Sequence, residues 1–151
     1  MSTTLRLETG GEWNLLVGDL LGAARDIASP RRLLGELGTM QERNIRQRVG
    51  RRESVNGGTY RASKRAIRDG GQTLVDRGQM IGNLGVMNWQ ELEIEVGFSS
   101  ARERNKALWH QEGTRRGLPP RPFFGLSRND ETVLLDHAER WRDRILGGHR
   151  L

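Results

Sequence analysis

The stretch ELEIEVGF, residues 91–98, decides the fold, because apolar side chains occupy every second position. Such period-two alternation predicts a β-strand with one buried face. Three glutamates fall on the other face, so the sheet cannot be buried on both sides. The preceding segment 85–89 is the expected hairpin partner, with the turn near residues 88–90. The sequence therefore predicts a small antiparallel sheet with one face open to solvent or to a partner.

Two helices are predicted before this hairpin. Apolar side chains in residues 13–27 recur at the spacing of one helix face, although Gly18 and Gly22 weaken that helix. The dipeptide Ser29-Pro30 is typical of a helix start, and it predicts a second helix that continues to about Gly50. The apolar positions of the first helix are Trp13, Leu16, Val17, Leu20, Leu21, Ala24 and Ile27.

The rest of the chain predicts shorter elements and one long final helix. Asp76 is expected to cap a turn or short helix that extends through residue 84, and Ser99-Ser100 to cap a helix that ends at Gly113. Ser127 and Asp130 nearly match a capping box, which predicts the start of the final helix. The apolar positions of that helix are Val133, Leu134, Ala138, Trp141 and Ile145. We expect an α+β fold in which a small antiparallel sheet packs with two N-terminal helices and a long C-terminal helix, as one domain over residues 1–151.

Residues 51–72 interrupt this pattern, because they are rich in glycine and basic residues and nearly devoid of large apolar ones. We expect a long, exposed and flexible basic loop. The wider segment 43–69 holds nine basic and two acidic residues. Contacts with an acidic partner or with packaged DNA are expected from Arg51, Arg52, Arg61, Lys64 and Arg65.

Composition excludes several classes of protein. The 151 residues include no cysteine, which excludes disulfide scaffolds and thiolate metal sites. No apolar run approaches the ~18 residues of a membrane span, and the N-terminus lacks the pattern of a signal peptide. The formal net charge of +6, carried mostly by arginine, favours acidic partners, whether protein or nucleic acid.

Enzyme chemistry is not indicated by any motif in the sequence. The three histidines lack metal-ligand spacing, and neither a nucleophile elbow nor a phosphate-binding loop is present. The glutamates at 91, 93 and 95 are typical of a solvated strand face rather than of an acid–base pair. We therefore expect no enzyme, no cofactor, no metal and no small-molecule substrate. A basic nucleic-acid-binding module remains an alternative, although Tyr60 is the only aromatic residue of 43–69 that could stack on a base.

The most distinctive block is LWHQEGTRRGLPPRPFFGLS, residues 108–127. Proline restricts the backbone at three positions and forbids a helix, so residues 114–126 are expected to form a stiff extended segment, here called the arm. Stiffness lowers the entropy lost on docking, and the two phenylalanines of the arm offer apolar anchors, one of them for the domain's own core. Arg121 is expected to bridge a carboxylate of a neighbouring subunit or of the same chain.

This block resembles the phage virion morphogenesis or tail completion family of Mu-like and related contractile-tailed phages. The family pattern is His-Gln-x-Gly, a basic spacer, and Pro-x-Arg-Pro-Phe-Leu-Gly-x-Ser before a C-terminal helix. A second similar element is Leu-Val-Asp-x-Gly at residues 74–78, although Arg77 and Met80 depart from the residues usual there. The positions compared with the main pattern are His110, Gln111, Gly113, Pro120, Arg121, Pro122, Phe123, Phe124, Gly125 and Ser127, with Phe124 in place of the leucine and Pro119-Pro120 covering the first proline and the variable position.

The resemblance implies a structural protein of the virion neck, made in the host cytoplasm and acting where the tail joins the capsid. Its implied partners are other tail and neck proteins and further copies of itself, since neck components commonly form rings that are often six-fold. A tail terminator or a head-closure ring protein is the alternative within phage assembly. The expected interface residues are His110, Gln111, Arg115, Arg116, Pro120, Arg121, Phe123 and Phe124.

Overall fold

The computed structural model describes residues 5–6, 30–89 and 93–147. The predicted helix over 13–27 and the C-terminal residues after 147 lie outside the described residues. In chain order the elements are β1 Leu5–Arg6, α1 Pro30–Arg51, α2 Lys64–Asp69, α3 Gln79–Gly82, β2 Leu84–Trp89, β3 Ile94–Phe98, α4 Ala101–Glu112 and α5 Arg128–Gly147.

The sheet is antiparallel, as the alternating stretch predicts, and its strand order is β1-β3-β2. Val86 of β2 lies opposite Val96 of β3, and a register shift follows before Asn88. Ile94, like Val96, is buried, which places the predicted apolar face of β3 against the core. Glu95 on the alternate positions is only partly buried. The α+β class is thereby confirmed.

Helix α1 is the central element, because it contributes to two apolar clusters. Its first half packs on α5, while Gly38 and the second half lie against the sheet and the residues clustered with it. The cluster on α5 consists of Leu33, Leu37, Leu134, Ala138 and Trp141. The larger cluster consists of Ile45, Val49, Tyr60, Leu74, Met80, Leu84, Val96, Phe98, Ala107 and Phe123.

Helix α5 starts with the predicted reciprocal cap. The Asp130 backbone N–H donates to Ser127 Oγ at 3.1 Å, and the Ser127 N–H donates to Asp130 Oδ2 at 2.9 Å. The apolar face of α5 is as predicted except at Val133, which is 37% exposed because it lies beside the buried stripe rather than on it. His137 Nε2 lies 2.8 Å from Glu36 Oε2 of α1, and this hydrogen bond lowers the pKa of Glu36.

The segment 51–72 is more structured than predicted. Helix α2 lies within it, Glu53 and Thr59 form an isolated β-bridge, and Tyr60 is only 6% exposed. The prediction of one long exposed loop is wrong for these residues. A buried aromatic anchor and the short helix, whose Ser63 side chain accepts from the Ala66 N–H, tie the segment to the core.

The predicted cap at Asp76 is also wrong. Helix α3 begins later, after Gly78, whose φ of 72° turns the chain into the left-handed region that glycine adopts without strain. Asp76 instead lies with its Oδ1 3.5 Å from Arg65 Nε. Helix α4 begins where predicted, but its start is held by the side chain of Asn83, which accepts from the Ser100 N–H at 3.1 Å.

Gly38 allows α1 to approach the sheet closely. A Cβ at this position would lie 2.4 Å from Ile94 Cδ1 and 3.2 Å from Val86 Cγ2. Both neighbours belong to strands that are packed on the helix, so neither can move away freely.

We expect Gly38→Ala to destabilise the protein by about 1–3 kcal/mol, because the added methyl overpacks the helix–sheet contact. Urea unfolding followed by tryptophan fluorescence measures this change. Gly82→Ala is the matched control, since a Cβ there meets nothing within 4 Å. Equal stabilities for the two variants would contradict the close approach.

Candidate functional site

The arm begins with a turn that only glycine accommodates easily. Gly113 has a φ of 76°, and a Cβ there would lie 2.7 Å from the Leu118 carbonyl oxygen. The Thr114 N–H donates to that same carbonyl at 3.0 Å. Further on, the Arg121 N–H donates to the His110 carbonyl at 2.6 Å. The arm therefore folds back along the C-terminal end of α4.

Gln111 fastens the arm to α4 with both ends of its amide group. Its Nε2 donates to the Phe124 carbonyl at 2.9 Å, and its Oε1 accepts from the Phe124 N–H at 3.0 Å. A glutamine side chain thus satisfies both backbone groups of a residue that has no strand or helix partner. This accounts physically for the glutamine of the His-Gln pair.

A buried ion pair holds the far end of the arm. Arg48 Nη2 pairs with Asp130 Oδ2, and both residues are at most 5% exposed. Arg48 Nη1 donates to the carbonyls of Phe123 at 2.7 Å and Gly125 at 3.2 Å. Gln41 Nε2 donates to the Gly125 carbonyl as well, at 2.8 Å. One guanidinium therefore joins α1, the arm and the cap of α5.

The two phenylalanines of the arm lie inside the molecule to different degrees. Phe123 is fully buried, with its ring centroid 6.5 Å from that of Phe98. Phe124 is partly buried, and its ring lies 5.6 Å from the Phe98 ring. Phe123 thus fills the domain's own core, as expected for one of the pair. A partner can touch it only if the arm opens.

Arg121 is buried under the arm, and its charge lies near the partly buried His110. Arg121 is 3% exposed, and its Nε donates to the Arg61 carbonyl at 2.9 Å. Within the described residues it forms no ion pair, so the predicted carboxylate of the same chain is not found there, and a neighbour's carboxylate stays a prediction. Burial lowers the pKa of Arg121, and burial followed by the charge of Arg121 lowers the pKa of His110.

The remaining predicted interface residues are exposed. Arg115, Arg116 and Pro120 all project from the arm, and their side chains make no hydrogen bond or ion pair within the described part of the chain. Trp109, next to His110 on α4, is 53% exposed. Trp109 is not among the interface residues expected from the sequence.

The spacing of the residues along α4 indicates that Trp109 is exposed. Glu103 and Ala107, four residues apart, are the buried positions of α4, and Gln111 continues their face. Trp109 falls off that face, and an exposed tryptophan at such a position favours a contact outside the chain.

The predicted basic contacts do not all share one cavity. Arg51 lines a groove of about 910 Å³ between α1, the 53–59 turn and the start of α5. Arg65 lines a different cavity, together with His110. It also donates to the carbonyls of Gln72 and Val75 at 2.9 and 2.8 Å, so it supports the local fold. The other three predicted contacts, Arg52, Arg61 and Lys64, are exposed.

Neither a metal cluster nor a membrane-spanning helix is present among the described residues. No group of three or more His, Asp or Glu side chains is arranged to hold a metal ion there. No described helix combines the length and the apolar character that crossing a bilayer requires.

We expect Arg48→Met to lower the free energy of unfolding by about 3–5 kcal/mol, because it leaves Asp130 buried without its cation. Arg140→Met is the matched control. Arg140 pairs with Asp136 on the exposed side of α5, where such pairs contribute below about 1 kcal/mol. Urea denaturation of both variants measures the difference, and similar losses would contradict the central role of Arg48.

We expect Gln111→Glu to destabilise the protein by about 1–3 kcal/mol, since a carboxylate oxygen would then face the Phe124 carbonyl where an N–H donates. Glu112→Gln changes the neighbouring exposed residue and should have little effect. Thermal unfolding at neutral pH distinguishes the two. A fully stable Gln111→Glu protein would show that the amide does not hold the arm.

Comparisons of the chain with protein-family models, with curated proteins and with solved structures give no match. Its function is therefore inferred from the arm and from the residues that build and surround it.

Proposed function

We propose that the chain is a structural bacteriophage protein of the tail-completion type, which acts at the head-proximal end of the tail in head–tail joining. It would be made in the host cytoplasm and become part of the virion neck. Its work would be protein contact rather than catalysis, with other tail and neck proteins and further copies of itself as partners. A homo-oligomeric ring, six-fold in many neck components, is the proposed assembly.

The observation that carries this proposal is a set of exposed residues beside an arm that hydrogen bonds hold in place. Trp109, Arg115, Arg116 and Pro120 are exposed at the end of α4 and along the arm, while Gln111 fixes the arm from inside. Tryptophan and arginine are the residues that contribute most to binding at protein interfaces. A preformed support reduces the entropy cost of association.

The motif residues support the same proposal in another way. His110 and Gln111 bond to the arm through a carbonyl and an amide, and Phe123 enters the core. The block that resembles the tail completion family is thus the block that builds the arm. In this proposal the motif residues hold the arm in its conformation, and the exposed residues beside them contact the partner.

A tail terminator or head-closure ring protein would use a surface of the same kind and remains the alternative within phage assembly. Nucleic-acid binding is less well supported, because Tyr60 is buried and cannot stack on a base. Exposed basic residues such as Arg52 and Lys64 could still contact phosphates of packaged DNA, and a steeply salt-dependent mobility shift would reveal that contact.

We expect Trp109→Ala to weaken ring formation and partner binding at least tenfold while leaving thermal stability nearly unchanged, because the side chain is half exposed. The chain is co-expressed with the products of the genes that flank it, and complexes are sized by light scattering. Ile67→Ala is the control: Ile67 is 68% exposed, but it belongs to α2 and not to α4 or the arm. A wild-type chain that stays single-copy with all these products would overturn the proposal.

A further inference from the structure

A cavity of about 270 Å³ lies beside the base of the arm, between α2, the chain from 74 to 80, and α4. Leu74 and Met80, both members of the apolar core, provide its apolar part. Its polar lining consists of Ser63, Arg65, Asp76, Arg77, Gln79, Lys106 and His110. Neither the arm nor the interface surface described above requires this cavity.

Positive charge exceeds negative charge in the lining. Arg65 is near Asp76, whose side chain is 71% exposed and thus strongly screened by solvent. Lys106 donates to Glu103 at 3.0 Å. Arg77 makes no hydrogen bond or ion pair with any described residue. An anion that entered would therefore meet one free guanidinium and two cations with carboxylate partners.

His110, one of the lining residues, has an unsatisfied ring nitrogen. His110 Nδ1 is buried without a hydrogen-bond partner, and so is Nη1 of the neighbouring Arg121. Buried polar atoms nearly always have partners, and leaving one without a partner costs about 1–3 kcal/mol. Nδ1 itself has almost no accessible surface, so an occupant of the cavity would lie against the His110 ring without reaching this atom.

We propose that this cavity receives a single glutamate or aspartate side chain of an assembly partner, an inference that rests on the proposed structural role of the chain. The apolar part suits the methylene stem, and the cationic wall suits the carboxylate. A nucleic acid fits less well, because the described lining contains no Phe, Tyr or Trp on which a base could stack.

The test uses the full chain and two tripeptides, acetyl-Leu-Glu-Leu-amide and its glutamine twin, with NMR of the histidine rings as the readout. Histidine-to-asparagine variants assign the His110 signals. We expect saturable shifts of His110 with the glutamate peptide and none with the glutamine peptide. Equal binding of the two peptides would overturn the proposal.

Two charge-matched variants test the location of binding. Arg77→Gln removes the free guanidinium of the lining and should weaken glutamate-peptide binding at least threefold. Arg102→Gln removes an exposed arginine of α4 outside the lining and should leave the binding unchanged. Equal weakening by both variants would mean non-specific attraction and would contradict the proposal.

Inorganic phosphate and a short single-stranded oligonucleotide serve as competing probes. The proposal is wrong, and the site is a phosphate site, if either probe shifts the His110 signals at a lower concentration than the glutamate peptide does. The binding of that probe would also have to depend equally on Arg77. Failure here is distinguishable from failure of the proposed function, because ring formation depends on Trp109 and is measured separately.

Discussion

The buried pair of Arg48 and Asp130 is the constraint on which the arrangement of this chain depends. Removing two charges from water is costly, and a buried pair is tolerated only when the remaining hydrogen-bonding capacity is filled. Here the arm fills it: Arg48 also binds two arm carbonyls, and Asp130 also caps α5. The cost of burying the charges is thus offset only if α1, the arm and α5 take these positions together.

The same arrangement explains how one helix serves two cores. The first half of α1 packs on α5, while Gly38 and the second half pack on the sheet. Gln41, in the middle of α1, and Arg48, in its last turn, carry the polar contacts to the arm. Gly38 permits the close approach to β3. The arm is therefore held by its contacts with α1 as well as by the stiffness of its own prolines.

Local patterns predicted the elements, whereas distant pairings determined the site. The strand 94–98, the start of α1 at Pro30 and the reciprocal cap of α5 each depend on residues a few positions apart, and all three were predictable. Arg48 meets Asp130 across 82 positions, and no periodicity indicates such a pair. Tyr60 was misjudged for a similar reason, because its polar, glycine-rich surroundings give no sign that a distant core receives it.

The position of Asp130 along the chain has a consequence for the order of events in the cell. During synthesis the arm leaves the ribosome before the carboxylate that completes its anchorage, so a nascent chain cannot yet hold the arm in its final shape. The arm takes its final position only after Asp130 has been synthesised and has paired with Arg48. A chain cut short before Asp130 therefore lacks the buried pair that holds the arm against α1.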